Sequence, residues 1–146
     1  MRTVITNVME RLQNKAQTNG VVINLTTTVD ALPMVGSKAM LEEVFTNLID
    51  NAIKYNRCGG SVNITLSESV RKWVITIKDT GIGIAEAEQE RIFERFYRVD
   101  KSRHREGTGL GLSIVKHAIM IHRGNISVNS SLGDGTEFVV RLPKSE

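Results

Sequence analysis

A chain of 146 residues suits a single domain, which should bury about 68–70% of its extended-chain surface on folding. Its 40% hydrophobic and 24% charged residues are ordinary globular values and exclude a disordered or low-complexity chain. The net charge of +3 is too small to demand a polyanionic partner, and one cysteine, Cys58, excludes an internal disulfide and a cysteine-rich zinc site. That cysteine usage fits a reducing compartment. No apolar run approaches the ~18 residues of a membrane span, and the first residues do not read as a signal peptide, so a soluble chain is expected.

Val4, Ile5, Val8, Met9, Leu12 and Ala16 recur at helical spacing, which predicts an amphipathic helix over 2–18, stopped by Asn19-Gly20. Residues 21–28 are rich in β-branched side chains and read as a strand. Leu32-Pro33 breaks the pattern, and Gly36-Ser37 leads into a second helix, with Ser37 as its expected N-cap. That helix, over 41–56, carries Leu41, Val44, Phe45, Leu48, Ile49, Ala52 and Ile53 on one broad face. Burying them is worth a gross gain of order 10 kcal/mol, enough to anchor the helix in a core.

Along one edge of the same helix run Asn47, Asn51, Lys54 and Tyr55, the first three within roughly 60° of arc. Asn is a poor helix former, so propensity does not explain two of them one turn apart. A solvated face is one reading. A face for a hard cation and phosphate, with amide oxygens for the metal and an ammonium for the phosphate, is the other.

Residues 61–67 and 72–79 alternate as strands do, joined by a hairpin loop at 68–71. Residues 85–92, with Glu at the start, predict a short helix. The stretch 93–107 has no clean period and sets Arg95, Arg98, Lys101, Arg103 and Arg105 against Asp100 and Glu106. A third long helix is predicted over 110–122, its apolar residues being Leu112, Ile114, Val115, Ile119 and Met120. Strands follow at 126–130 and 136–142, joined by Gly133-Asp134-Gly135. The order predicts an α+β fold: a two-layer α/β sandwich with a mixed, mostly antiparallel sheet of about five strands, covered on one face by three helices.

Two glycine-rich stretches carry further chemistry. Asp79-Thr80-Gly81-Ile82-Gly83 puts a carboxylate at a strand end, beside backbone that a flat ligand can approach closely. A plain turn is the bland alternative. Gly107-Thr108-Gly109-Leu110-Gly111 opens the third helix, as a phosphate cradle or a flexible hinge would. It is neither the dinucleotide fingerprint nor a P-loop.

Together, the stretches around Asn47 and Asn51, Asp79 to Gly83, and Gly107 to Gly111 resemble the N, G1 and G2 boxes of the catalytic ATP-binding domain of sensor histidine kinases. Ile92-Phe93-Glu94-Arg95-Phe96-Tyr97-Arg98 resembles that family's F box, and Gly133-Asp134-Gly135-Thr136 its last glycine turn. The resemblance covers nearly the whole chain. It implies the Bergerat fold, shared with gyrase B subunits, mismatch-repair ATPases and the ninety-kilodalton heat-shock chaperone, and a mobile ATP lid over roughly 93–107.

By that resemblance ATP and Mg²⁺ are the cofactors. Asn51 with Asn47 would hold Mg²⁺, Lys54 would contact phosphate, and Tyr55 would pack near adenine. Asp79 would accept the adenine amino hydrogen, with Gly81 and Gly83 letting the base approach. Arg98 would reach the terminal phosphate, while Gly107, Thr108, Gly109, Leu110 and Gly111 would close over the triphosphate. Ile84, Phe93, Leu112 and Thr136 fall where further contacts to nucleotide are implied, and the catalytic positions are Asn47, Lys54 and Arg98. Hydrolysing members of the superfamily carry a Glu one turn before the metal-binding Asn. Here that place holds Asn47, an amide that cannot accept a proton at neutral pH, and Glu43, a turn earlier, reads as a solvated residue.

No phosphate-accepting histidine on a helical hairpin is present. His104, His117 and His122 read as surface or partly packed. The resemblance divides the chain into residues 1–20, a helix leading out of an absent dimerisation hairpin and packed with the domain, and 21–146, the catalytic ATP-binding domain. It reads as an excised catalytic domain. Expected partners are the histidine-bearing hairpin of the parent kinase and a downstream response regulator, with no nucleic acid, no membrane contact, a monomeric state and a cytoplasmic location. The alternatives are a stand-alone serine kinase resembling the anti-sigma-factor kinases and a non-catalytic nucleotide-sensing module. Cys58 reads as an unreactive thiol, and Trp73 as core or sheet surface.

Overall fold

The second helix is where the fold closes, and its sequence shows why. In the computed structural model, which describes residues 2–29, 36–94 and 111–144, helix α2 (Lys38–Lys54) buries all seven residues of its predicted apolar face. Ser37 caps it, its Oγ accepting the N–H of Met40 at 3.2 Å, and Tyr55 is the C-cap. Helix α1 (Arg2–Thr18) lays Val4, Ile5, Val8 and Ala16 into the same core. Arg11 donating to Thr46, and a Lys15–Asp50 ion pair, fix α1 along α2.

Strands β1 (Val22–Thr27), β2 (Ser61–Glu68), β3 (Lys72–Asp79), β4 (Asn125–Ser131) and β5 (Gly135–Pro143) form one sheet in the order β1-β2-β3-β5-β4. β1 runs parallel to β2, and every other pairing is antiparallel. The register lines up Ile64, Ile77, Phe138 and Val128 across four strands, and Leu66, Ile75, Val140 and Ile126 beside them. All eight belong to or pack against the core under the helices. The period of two then sends Asn63, Thr65, Thr76, Lys78 and Glu137 to the other face. Trp73 is buried in the core, as its place in the strand alternation implies. The expected two-layer sandwich is therefore the observed one.

Two elements depart from expectation. Residues 85–92 make only a single 3₁₀ turn at Glu86–Glu88 followed by further turns. Their hydrogen bonds skip three residues (Glu88 to Ala85, Arg91 to Glu88, Glu94 to Arg91), so the tighter coil never opens into an α-helix. Gln89 is also drawn away, its Nε2 donating to the carbonyls of Ile84 at 3.0 Å and Ser130 at 2.8 Å. Helix α3 (Gly111–Ile121) meets the core through Val115, Ala118 and Ile119, with Leu112 partly buried. Ile114 and Met120, expected on that apolar face, are exposed. The third helix has too few core-facing positions to bury them, because only one of its sides meets α2 and the sheet.

Candidate nucleotide-binding site

The site is built around the C-terminal half of α2 and the end of β3. Asp79 is the last residue of β3 and is 7% exposed. Its Oδ1 accepts two backbone N–H groups, from Gly81 at 2.8 Å and from Thr136 at 3.1 Å. Burial pushes its carboxyl above the ordinary value of 3.8, outweighing the lowering effect of those two donors. One oxygen is thus committed to the protein. The other has no hydrogen bond among the described residues and is open to a ligand donor.

The loop after Asp79 is stitched to its neighbours. Ile82 N–H donates to Tyr55 O at 3.1 Å, Gly133 N–H to Ile82 O at 2.9 Å, and Ile84 N–H to Ser130 Oγ at 2.7 Å. Gly81 and Gly83 matter here for a reason the sequence did not suggest. A Cβ on Gly81 would overlap Tyr55 O, and one on Gly83, whose φ is +76°, would overlap Ser131 O. What fills their side-chain directions is the protein's own backbone, so these glycines serve the close packing of the loop. Thr136 is buried, its Oγ1 2.9 Å from Ser130 Oγ.

Asn47, Asn51 and Lys54 lie half-buried on α2 at the spacing the sequence gives them. Asn47 Nδ2 donates to Glu43 O at 2.9 Å, one turn back. Its Oδ1 therefore turns toward the start of α3, lying 3.2 Å from where a Cβ on Gly111 would stand. Glu43 is itself exposed, as expected of a solvated helix residue. Lys54 Nζ stands 5.9 Å from the centroid of the Tyr55 ring, within cation–π range. Phe93 meets Phe138 edge-on at 6.3 Å between centroids, with Lys116 Nζ 5.6 Å above the Phe93 ring. Ile84 and Leu112 pack against the rim of the core.

The fold thus brings together Asp79, Gly81, Gly83, Ile84 and Thr136 at one end, and Asn47 and Gly111 at the other, with Asn51, Lys54 and Tyr55 on the helix between. Arg98, Gly107, Thr108, Gly109 and Leu110 lie outside the described residues, as does most of the expected lid. Sequence reading missed Asn56, Arg57, Gln89 and Ser130, which hold the loops in place. None of them stands at a motif position, and the partners of Arg57 and Gln89 are distant in sequence.

His104 also lies outside the described residues. His117 is exposed on α3, as expected. His122 is not a surface residue: it is buried, with Nε2 accepting Ser37 N–H at 2.9 Å and Nδ1 therefore donating to Ala118 O at 2.7 Å. Both ring nitrogens are in use, so this imidazole offers no lone pair to a phosphoryl group.

An α/β sandwich that sets a half-satisfied carboxylate beside a helix of amide and ammonium side chains offers an acceptor to a base, and ligands to a metal and to phosphate. The chain belongs to the family described as histidine kinase-, DNA gyrase B-, and HSP90-like ATPase, whose model matches residues 36–146. Sensor histidine kinase RppB of Synechocystis sp. is 49% identical over 110 residues, 74% of this chain and 24% of that protein. The chain therefore spans about a quarter of that relative's length. Among solved structures, the mycobacterial sensor histidine kinase MprB superimposes with a TM-score of 0.89 at 30% identity, covering 99% of this chain and 95% of that one. Full-length ShkA, in complex with AMPPNP, gives 0.87 at 28% identity over 98% of this chain and 30% of that one. Within the family the chain is of the sensor histidine kinase type, an ATP-binding catalytic domain. No helix among the described residues is long and apolar enough to cross a membrane.

Proposed function

We propose that this chain binds ATP with Mg²⁺ and transfers the γ-phosphoryl group to a histidine on a separate dimerisation hairpin, from which a response regulator is served in the cytoplasm. The observation that carries phosphoryl transfer over hydrolysis is Asn47. It stands one turn before Asn51, its amide nitrogen bonded to Glu43 O, and it cannot take a proton from water. The γ-phosphoryl group is thereby kept for a protein acceptor.

The roles follow the donor chemistry. The free oxygen of Asp79 accepts the adenine amino hydrogen, with Tyr55, Ile84 and Thr136 around the base. Asn47 and Asn51 present amide oxygens one turn apart on a rigid helix. Those suit Mg²⁺, a hard cation that takes one or two protein ligands, several waters and substrate phosphates. Among the described residues no cluster of His, Cys, Asp or Glu offers a metal a competing site. When bound, Mg²⁺ neutralises charge on the phosphates and aligns them. Lys54 contacts phosphate as a point charge. Phe93 and Leu112 flank the site, and Arg98 with residues 107–111 is assigned to the terminal phosphates on the resemblance alone. Residues 1–20 are proposed as the connection to the hairpin and 21–146 as the catalytic domain, with α1 sharing the core of the latter. The AMPPNP bound by ShkA supports the nucleotide assignment.

The chain incubated with labelled ATP is expected to stay unlabelled, since the nucleophile must come from another domain held in line. A histidine hairpin from the parent kinase, added in trans, should gain acid-labile label slowly, because the linkage that raised local concentration is missing. Acid-stable label on a serine substrate would replace this reading with the serine-kinase one. Binding without transfer to any acceptor would leave a nucleotide-sensing module.

A further inference from the structure

Asp79 Oδ1 takes its two hydrogen bonds from different segments. One is the loop that follows β3, through Gly81 N–H; the other is the β4–β5 turn with the start of β5, through Thr136 N–H. A second residue bridges the same two segments. Arg57, two positions past the C-cap of α2, donates from a single nitrogen, Nη2, to Gly81 O at 3.2 Å and to Gly133 O at 2.9 Å. The geometry points to Arg57 as a positioning residue for base recognition: its guanidinium clamps together the two segments whose backbone N–H groups aim the Asp79 carboxylate.

The clamp is itself preset. Arg57 N–H donates to Asn56 Oδ1 at 2.9 Å and Arg57 O accepts Gly60 N–H at 2.9 Å, so its backbone is fixed at both ends. Asn56 Oδ1 also accepts the Thr80 hydroxyl at 3.0 Å, tying the start of the Asp79 loop to the same anchor. Gly81 is held from two sides, its N–H on Asp79 and its C=O on Arg57. Asp79 sits in a buried place while Arg57 is exposed. Arg57 therefore acts at a distance from the base, through the loops and not by contact with nucleotide.

A hydrogen bond weakens steeply once its angle falls below about 120°. Loosening the two segments lets the carboxylate swing, and a swing costs most at the one contact that depends on its bearing, the adenine amino group. Phosphate contacts from α2 do not share that dependence. Removing Arg57 should therefore narrow base preference while leaving phosphate binding intact. This rests on the proposed role of Asp79 as the adenine acceptor.

Calorimetry with the full 146-residue chain, Mg²⁺, and ATP or GTP tests it on wild type, Arg57→Ala and Arg57→Lys, with a thermal melt of each. Arg57→Ala should weaken ATP about 3- to 10-fold, the scale of one hydrogen bond, and leave GTP nearly unchanged. Arg57→Lys, whose ammonium can still donate to both carbonyls, should recover much of the preference. Should the alanine variant not fold, the lysine variant together with Arg57→Gln decides. Equal losses for ATP and GTP, or no loss for either, would overturn the assignment. A wild type with no preference for ATP would instead overturn the reading of Asp79.

Discussion

The two ends of the candidate cleft are built by different means. At the base end the protein holds itself: Asp79 Oδ1 is bound twice by backbone, and the loop from Gly81 to Ile84 is bonded to Tyr55, Ser130 and Gly133. At the phosphate end, α2 offers Asn47, Asn51 and Lys54 as a row of donors and acceptors on a rigid cylinder. There Asn47 is oriented by a bond back to Glu43 O, and Lys54 lies against the Tyr55 ring, both within or beside the one helix. The base end is preorganised for one partner, a cost met at folding and not at binding. Base selectivity and metal-phosphate affinity should therefore be separable by mutation.

The largest break should come from Gly83→Ala. Its φ of +76° is costly for any Cβ, and the added carbon would overlap the Ser131 carbonyl oxygen, which is backbone and cannot swing aside. Strain and forced displacement together should cost about 2–4 kcal/mol of stability, and ATP binding should vanish with the loop's geometry. A chemical melt and calorimetry would measure both. Undiminished ATP affinity in this variant would mean that the base end is not rigidly specified.

Asp79→Asn should separate fold from function. The amide oxygen can still accept from Gly81 and Thr136, but an NH₂ then faces the adenine amino group, donor against donor. ATP affinity should fall about 10- to 150-fold, while guanine, which presents O6 as an acceptor, should gain. Stability should move the other way. Because burial raises the folded-state pKa above 3.8, the contribution of Asp79 to stability is full below that value and is lost as pH rises through the raised pKa. At neutral pH the variant, free of a buried charge, should melt higher. Wild-type ATP affinity has the opposite sign: it should fall as pH falls through the same raised pKa, and the Asn variant should lack that step.

Much of this arrangement was legible before the structure. Periods of 3.6 and 2 are dictated by backbone geometry, so the α2 face and the alternation of β2 and β3 read directly, and Asp79 stood out as a charge at a strand end. Other parts had no local signal. Arg57 is a single exposed side chain whose two acceptors lie 24 and 76 positions away. Within the 3₁₀ turns that stand in place of a helix at 85–92, Gln89 bonds Ser130, 41 positions on. The sequence reads His122 as surface or partly packed, and nothing nearby in it announces that Ser37 N–H will point at its ring. Long-range polar contacts are set by the closed fold, and no period records them.

Asn51→Ala addresses the other end of the comparison. Loss of a carboxamide oxygen from the proposed metal site should weaken Mg²⁺-ATP about 10-fold, the lower bound for disturbing a metal's surroundings. Adenosine alone should bind as before. Affinity measured with and without Mg²⁺ should converge in the variant. If wild type and variant respond equally to Mg²⁺, Asn51 is not a ligand.

The smallest effect, and the one that most sharpens the contrast, is expected of Gly111→Ala. Gly111 opens α3, and its φ lies outside the left-handed region, so a side chain costs nothing in backbone strain. Alanine is the better helix former by up to about 1 kcal/mol in a helix interior and less at an end, so stability should rise slightly. The new Cβ would sit 3.2 Å from Asn47 Oδ1, close enough to displace it by a few tenths of an ångström. Asn47 is a side chain and can yield, but its Nδ2 is tethered to Glu43 O, so yielding turns the oxygen away from the proposed Mg²⁺ position. Mg²⁺-ATP should bind a few-fold more weakly although the fold is firmer, and adenosine should bind as it does to wild type. The same kind of substitution at Gly83 removes the base end altogether, because there the obstacle is backbone. Should adenosine and Mg²⁺-ATP weaken together in Gly111→Ala, the two ends are one mechanical unit, and the separation argued from their hydrogen bonds does not hold.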